Sequence, residues 1–241
     1  MNSKLIKIAA VVVVVGIVGY FALRFSIGSA VTVGVNSVGP KITQTRVELA
    51  GATISPLTGS GTLTGLFVGN PKGWTSEKAF SCGKVHVALA PLSLLGDHIV
   101  VKDVVIEQPE FVYETKLVAS NIGDLLKNIQ GTASSGSSAA TTKSGKPLKF
   151  EVKHFLLTGA KVTLGAGLAA VTVPMPPIEL TDLGTKEGGI TSDQLALAVM
   201  RSVSSSVVSA AVQSAGKVGS AAGDAAKQAT EGLKGLFGGN R

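Results

Sequence analysis

Apolar residues follow three different periods along this chain. The first is an unbroken run. Sixteen residues from Ile8 to Leu23 carry no charge, and the nineteen from Leu5 to Leu23 include only Lys7. A helix needs about 20 predominantly apolar residues to cross a bilayer, so residues 1–30 read as a membrane anchor. Leu5, Val13 and Ile17 would lie in lipid, with Tyr20 and Phe21 in an interfacial belt and Lys4 and Lys7 snorkelling at the near end. A cleaved secretory signal is the alternative, with Gly28 and Ala30 as the small residues of a cleavage site. The length of the run favours the anchor, as do Arg24 and Phe25 between it and that site. Lys4 and Lys7 outweigh Arg24, which puts the N-terminal side in the cytoplasm and the rest of the chain outside it.

The second period is two, and it begins after an exit segment, residues 26–43, that reads as a first strand or a linker. Val47 and Leu49 alternate with Arg46 and Glu48, and Gly61 to Val68 forms a second run. Gly69-Asn70-Pro71-Lys72-Gly73-Trp74 is a turn, because Pro71 constrains Asn70 and the glycines permit positive φ. Val85, Val87 and Leu89 share one face of the next strand. Pro91-Leu92-Ser93-Leu94-Leu95 suits a single helical turn with proline at its start. From Ile99 to Glu107 strict alternation puts Val100, Val104 and Ile106 on one face around Lys102, and Pro109 opens a run through Phe111 and Tyr113. Later runs cover Phe150, Val152, His154 and Leu156, then Lys161–Leu164, Leu168–Val173 and Ile178–Leu183. That gives about eight to ten strands, mostly joined by hairpins and so antiparallel. Val85, Val87, Leu89, Val100, Val104 and Ile106 would line an apolar groove on one face of a curved sheet.

Two helical stretches accompany the strands. Asn121 caps a short amphipathic helix from Ile122 to Ile129. Residues 131–147 contain no Leu, Ile, Val or aromatic residue and are expected to be a flexible loop. From Thr191 a third period appears. Apolar or small residues at Met200, Val203, Val207, Ala211, Ser214 and Val218 continue to Leu236 in steps of three and four, an eleven-residue repeat close to a straight helix. A seam so rich in Ala and Ser needs a surface to lie on, either the sheet or a membrane. The expected architecture is therefore mainly β with α: an anchor at 1–30, a β domain at 31–190 and a C-terminal helix at 191–241.

Composition narrows function more by exclusion. Aromatics are only 5% of residues, so the core is built from Val, Leu, Ile and Ala. The net charge is +7, but residues 31–190 carry fourteen bases against twelve acids. No basic stripe with interleaved aromatics is present, so nucleic acid is not an expected partner. Cys82 stands alone, without a disulfide partner in the chain or metal-site spacing, and reads as a small strand residue. His86, His98 and His154 are scattered, Asp97-His98 falls in a turn, and Asp103 and Glu107 share a strand face. There is no GxSxG, HExxH or phosphate loop, so neither an enzyme nor a bound cofactor is expected. Trp74 and Tyr113 suit packing with the polar end in water, or the rim of a site.

The block Leu66–Trp74, then Pro91–Leu95, Ile99–Ile106, Pro109–Glu114 and Asn121–Leu126 resembles the N-terminal module of the AsmA-like family of bacterial envelope proteins. Gly69, Asn70, Pro71, Gly73, Trp74, Pro91, Leu94, Pro109, Tyr113, Glu114 and Asn121 carry the resemblance. It implies a curved sheet with an apolar inner face on the periplasmic side of an inner-membrane anchor, and a role in outer-membrane biogenesis or phospholipid handling. The implied partners are the membrane, phospholipid or acyl chains, and other envelope proteins. A chain this short does not bridge two membranes, so bulk transport by it alone is not expected. The Asn70-Pro71 turn is also similar to the late-embryogenesis-abundant type 2 fold, and the eleven-residue period to dehydration-protective helices. That alternative is a structural or stress-associated protein with no ligand.

Overall fold

The computed structural model describes residues 3–116, 119–135, 140–142, 145–165 and 170–237, with side chains from Val11 to Ser214 within those spans. Its first element is α1, Ser3–Thr43, a single helix of 41 residues. Residues 26–43 are therefore helical, neither strand nor linker, and the helix runs on through position 30. Packing supplies what their Gly, Val and Thr content lacks in propensity. The helix lies along β1, Val47–Ile54. Asn36 brackets Leu49, donating to its carbonyl at 3.2 Å and accepting from its amide at 2.6 Å. The missing side chain of Gly28 lets the helix approach Ala52, whose carbonyl a Cβ there would strike. Gln44, at φ 55, ends the helix with its amide on Pro40 O at 2.9 Å.

The strands that follow are β2, Ser60–Gly69, β3, Lys78–Leu89, β4, His98–Glu107, and β5, Glu110–Tyr113, with a 3₁₀ turn at Pro91–Leu95. Short β6, Thr115–Lys116, and β7, Ala119–Ser120, lead into α2, Asn121–Ser135. Then come β8, Lys149–Thr158, β9, Lys161–Leu164, β10, Val171–Pro174, β11, Ile178–Leu183, β12, Ile190–Thr191, and α3, Ser192–Phe237. Ten strands form one mixed sheet, and β6 with β7 forms a separate pair. The main path runs β10-β9-β5-β3-β4-β8-β11, with β1 and β2 continuing from β3 and β12 pairing with β8. The sheet is mostly antiparallel. The exceptions are β4 with β8 and β5 with β9, which are parallel. The crossover between them contains α2, as a parallel connection requires.

Both parallel partners are bent strands. β4 turns into β5 at Gln108, φ 51, and Pro109; β8 turns into β9 at Gly159, φ 64, and Ala160. The two corners are stitched together by Gln108 N to Thr158 O at 2.9 Å and Lys161 N to Pro109 O at 3.0 Å. The register is unchanged across the bend, from His98 opposite Lys149 to Tyr113 opposite Leu164.

A bulge corrects the expected groove. Ala88 pairs with Asp103 but Leu89 with Val101, so Lys102 is an extra residue in β4. The alternation inverts there. Ile99, Val101, Val104 and Ile106 join the core, and Val100 does not. The same inversion crosses into β8. Val152, Phe155 and Leu157 are buried, whereas His154 and Leu156 fall on the opposite face.

The inner face is filled. Val85, Leu89 and Ile106 are buried, with Val87 and Val104 packed beside them. Covering side chains include Ile122, Leu125 and Ile129 of α2 and Val203, Val207 and Ala210 of α3, Val207 being 0% exposed. Parts of the 131–147 stretch are described, and these are held by hydrogen bonds. Residues 131–135 extend α2 and bury Thr132. Thr141 bridges Pro147, Leu148 N reaches Ala140 O at 2.7 Å, and Ala140 N meets Ser192 Oγ at 2.9 Å. Backbone and hydroxyl hydrogen bonds hold these residues where apolar burial would not. Residues 136–139, 143–144 and 166–169 lie outside the described residues. By length and composition two described helices are apolar enough to cross a membrane, α1 over Val11–Thr43 and α3 over Ser192–Ser214, with mean hydropathies of 2.1 and 1.6.

Candidate functional site

The motif residues that are far apart in sequence meet under the turn between β2 and β3. Asn70 donates through Nδ2 to Ser76 O at 2.8 Å, Lys78 O at 3.2 Å and Glu114 Oε1 at 3.3 Å. Its Oδ1 accepts from Asn121 Nδ2 at 2.8 Å. Asn121, fully buried at the start of α2, also donates to Val112 O and accepts from the amides of Glu114 and Ile122. Glu114 in turn accepts from the amides of Thr75 at 3.0 Å and Ser76 at 2.7 Å. The buried carboxylate is therefore met by three N–H donors. Burial works to raise its pKa, and the hydrogen bonds from Ser76 and Thr75 outweigh it, holding the carboxyl below its ordinary value.

The rim of this hub is aromatic and cationic. Trp74 donates through Nε1 to Asp124 Oδ2 at 3.1 Å. Lys116 donates to Gly73 O at 2.6 Å and stands 4.8 Å from the centre of the Trp74 ring, a cation–π contact. Gly73 takes φ 92, which its lack of a side chain permits. Gly69 and Pro71 are buried, as is Pro109, while Tyr113 is half-buried. The network pins the 70–77 turn to β5 and α2, and that is what it does chemically.

A second polar cluster lies on the outer face. His154 sits between Asp103, 2.5 Å from Nδ1, and Glu179, 3.2 Å from Nε2. Asp103, opposed by partial desolvation and supported by Glu179, raises the His154 pKa. His98 Nε2 lies 3.5 Å from Glu151, and His86 is exposed elsewhere on β3. Cys82 is buried in β3 with its thiol on Lys84 O at 3.0 Å, and burial raises its pKa. Among the described residues no group of three or more His, Cys, Asp or Glu is placed to hold a metal ion.

The anchor residues are arranged differently. Leu5 lies in α1 outside the described side chains. Val13 and Ile17 are 59% and 51% exposed and Phe21 is exposed, with no protein over them. Tyr20 is half-buried, its hydroxyl 3.4 Å from Ser55 Oγ. Between α1 and β1 lies a cleft of about 740 Å³ lined by residues including Phe21, Arg24, Phe25, Thr32 and Ala52. In the 3₁₀ turn Pro91 is half-buried and Leu94 packs on the core, whereas Leu92 and Leu95 face out. Asp124, Lys116 and the cleft carry no local signal as partners, because each depends on pairing across the fold. No protein-family model matches the chain, and no curated protein or solved structure matches it either.

Proposed function

We propose that this chain is a single-pass protein of the bacterial inner membrane, with its sheet domain on the periplasmic side, and that it handles phospholipid there without catalysing a reaction. The observation that carries this is the continuity of α1: its apolar stretch is bare of protein, and the same helix then packs along β1. At 1.5 Å per residue the stretch from Lys4 to Leu23 extends about 30 Å, the thickness of a hydrocarbon core. Lys4 and Lys7 against Arg24 favour a cytoplasmic N-terminal side. In α3 the residues Val203, Val207 and Ala210 are used in packing on the sheet, so it belongs to the domain. The order of motifs shared with the AsmA-like family supports the envelope location and work alongside other envelope proteins.

With the inner face filled, the lipid site moves to the α1–β1 cleft. Its walls are mainly apolar, and Arg24 offers a cation for a phosphate headgroup. An acyl chain would lie along Phe25 and Gly28. Two measurements test the proposal. The full chain should resist alkaline extraction from membranes, and a Lys72→Cys variant should react with an impermeant maleimide only from outside the cytoplasm. Phospholipid should co-purify with the wild type and be lost when Ser29→Trp fills the cleft. Full alkaline extraction would sink the anchor, and a lipid-free wild type would sink the lipid role.

A further inference from the structure

We propose that the end of the sheet nearest the apolar part of α1 rests on the membrane, with Leu57, Leu92 and Leu95 inserted into the bilayer that α1 crosses. This rests on reading α1 as a membrane span. The three leucines are 77%, 83% and 87% exposed. Leu57 lies in the turn from β1 to β2, and Leu92 and Leu95 in the 3₁₀ turn. Residues three apart eclipse in a 3₁₀ helix, so Leu92 and Leu95 share its outer face while Leu94 packs inward. The two turns touch: Leu89 N donates to Gly59 O at 2.9 Å, and a side chain on Gly59 would strike Leu89 O. All three leucines therefore project from one end of the sheet.

The depth of that end follows from α1. The helix runs antiparallel to β1, with Asn36 against Leu49, Gly28 against Ala52 and Tyr20 against Ser55. Each contact is closer to the turn that carries Leu57. That turn reaches the level of Tyr20, which lies about 5 Å to the lipid side of Leu23 at 1.5 Å per residue. Interfacial elements bury their apolar face by about 5–10 Å, so the leucines stand at insertion depth. Several backbone groups of the turns are already paired within the protein. Ser55 N bonds Ser60 O, Gly59 N bonds Ser55 O, Gly96 N bonds Ser93 O, and Ser93 Oγ accepts from Val100 N. Single exposed leucines are ordinary on a protein surface. Three together, level with an uncovered apolar helix, have the bilayer as their nearest apolar partner. Docking would fix the domain at two points and hold the α1–β1 cleft open to lipid.

The test uses the full chain in phosphatidylcholine vesicles, with an environment-sensitive fluorophore on cysteines placed one at a time. The buried Cys82 stays in place, and the wild type reports any labelling of it. Leu57→Cys, Leu92→Cys and Leu95→Cys should show blue-shifted emission, quenched by lipids spin-labelled near the headgroup. Val15→Cys should be quenched by lipids labelled deep in the chain, and Lys72→Cys, at the opposite end of the sheet, by neither. Quenching at Val15→Cys with none at the three leucine positions overturns the docking and leaves the span intact; a protein partner for the leucines would give this result. Quenching at the leucine positions without Val15→Cys overturns the span and keeps the docking. Quenching at neither overturns both. A label on Thr58→Cys, held near the headgroups by α1 in any case, should shift to shallower quenching and red-shifted emission when Leu57, Leu92 and Leu95 are all changed to Ser, and an unchanged signal overturns the role of the leucines.

Discussion

Asn70, Glu114 and Asn121 form a closed set in which each side chain satisfies groups on the other two or on the backbone between them. Removing one leaves buried donors without acceptors, at about 1–3 kcal/mol for each such group. Glu114→Ala is expected to cost about 1–3 kcal/mol in urea unfolding, since it takes the acceptor from the half-buried Ser76 amide and from Asn70 Nδ2, while the exposed Thr75 amide can turn to water. The pH dependence has a fixed sign. The folded Glu114 pKa is depressed, so its contribution is present above the ordinary carboxylate value and fades as pH falls through the folded one. The Glu114→Gln variant should therefore lose less stability than the wild type between neutral and acid pH. His154 has the opposite sign. Its pKa is raised, so its contribution is full below the ordinary imidazole value and is lost as pH rises through the folded one. Its NMR titration midpoint should drop on Asp103→Asn.

At the scale of elements, the bulge in β4 and the glycines of α1 decide which faces meet. The extra residue at Lys102 gives a contrast between neighbours. Val101→Asp puts a carboxylate into the core and should cost about 3 kcal/mol or more, whereas Val100→Asp should cost under about 1 kcal/mol. The reverse order of costs would mean that the alternation runs through unbroken. In α1, Gly28 lies against the β1 backbone while Gly16 has open space around it. Gly28→Leu should lower the melting temperature of the domain and Gly16→Leu should not, as followed by circular dichroism in detergent.

At the scale of the whole molecule, α3 works as a lid. Val203, Val207 and Ala210 close a face that would otherwise expose Phe155, Leu157 and Ile178 among others. Val207→Asp should cost about 3 kcal/mol or more and open that face, with a rise in binding of an apolar dye to the full chain. Unchanged dye binding would mean that the inner face is closed by other elements.

The sequence by itself determined whatever depends on neighbours along the chain. The uncharged run from Ile8, the alternation in Val85–Leu89 and the Asn70-Pro71 turn are all local, and each element formed; the cap of α2 is not the expected Asn121 but Ser120, whose Oγ accepts from Gly123 N at 3.0 Å, while Asn121 is the first helical residue and turns its amide into the hub. The helix through residues 26–43 was not legible, since its Gly and Val content gives weak propensity and its support comes from β1. The placement of Val100 was not legible either, because a bulge is set by pairing with β3 and leaves no residue signature. Residues Asn70, Glu114 and Asn121 could be singled out as motif positions, but that two amides and one carboxylate meet in one network depends on distances across the fold. Whether the apolar face stayed open was decided only when α2 and α3 packed on it, for burial is a property of the assembled sheet and helices, not of either pattern alone.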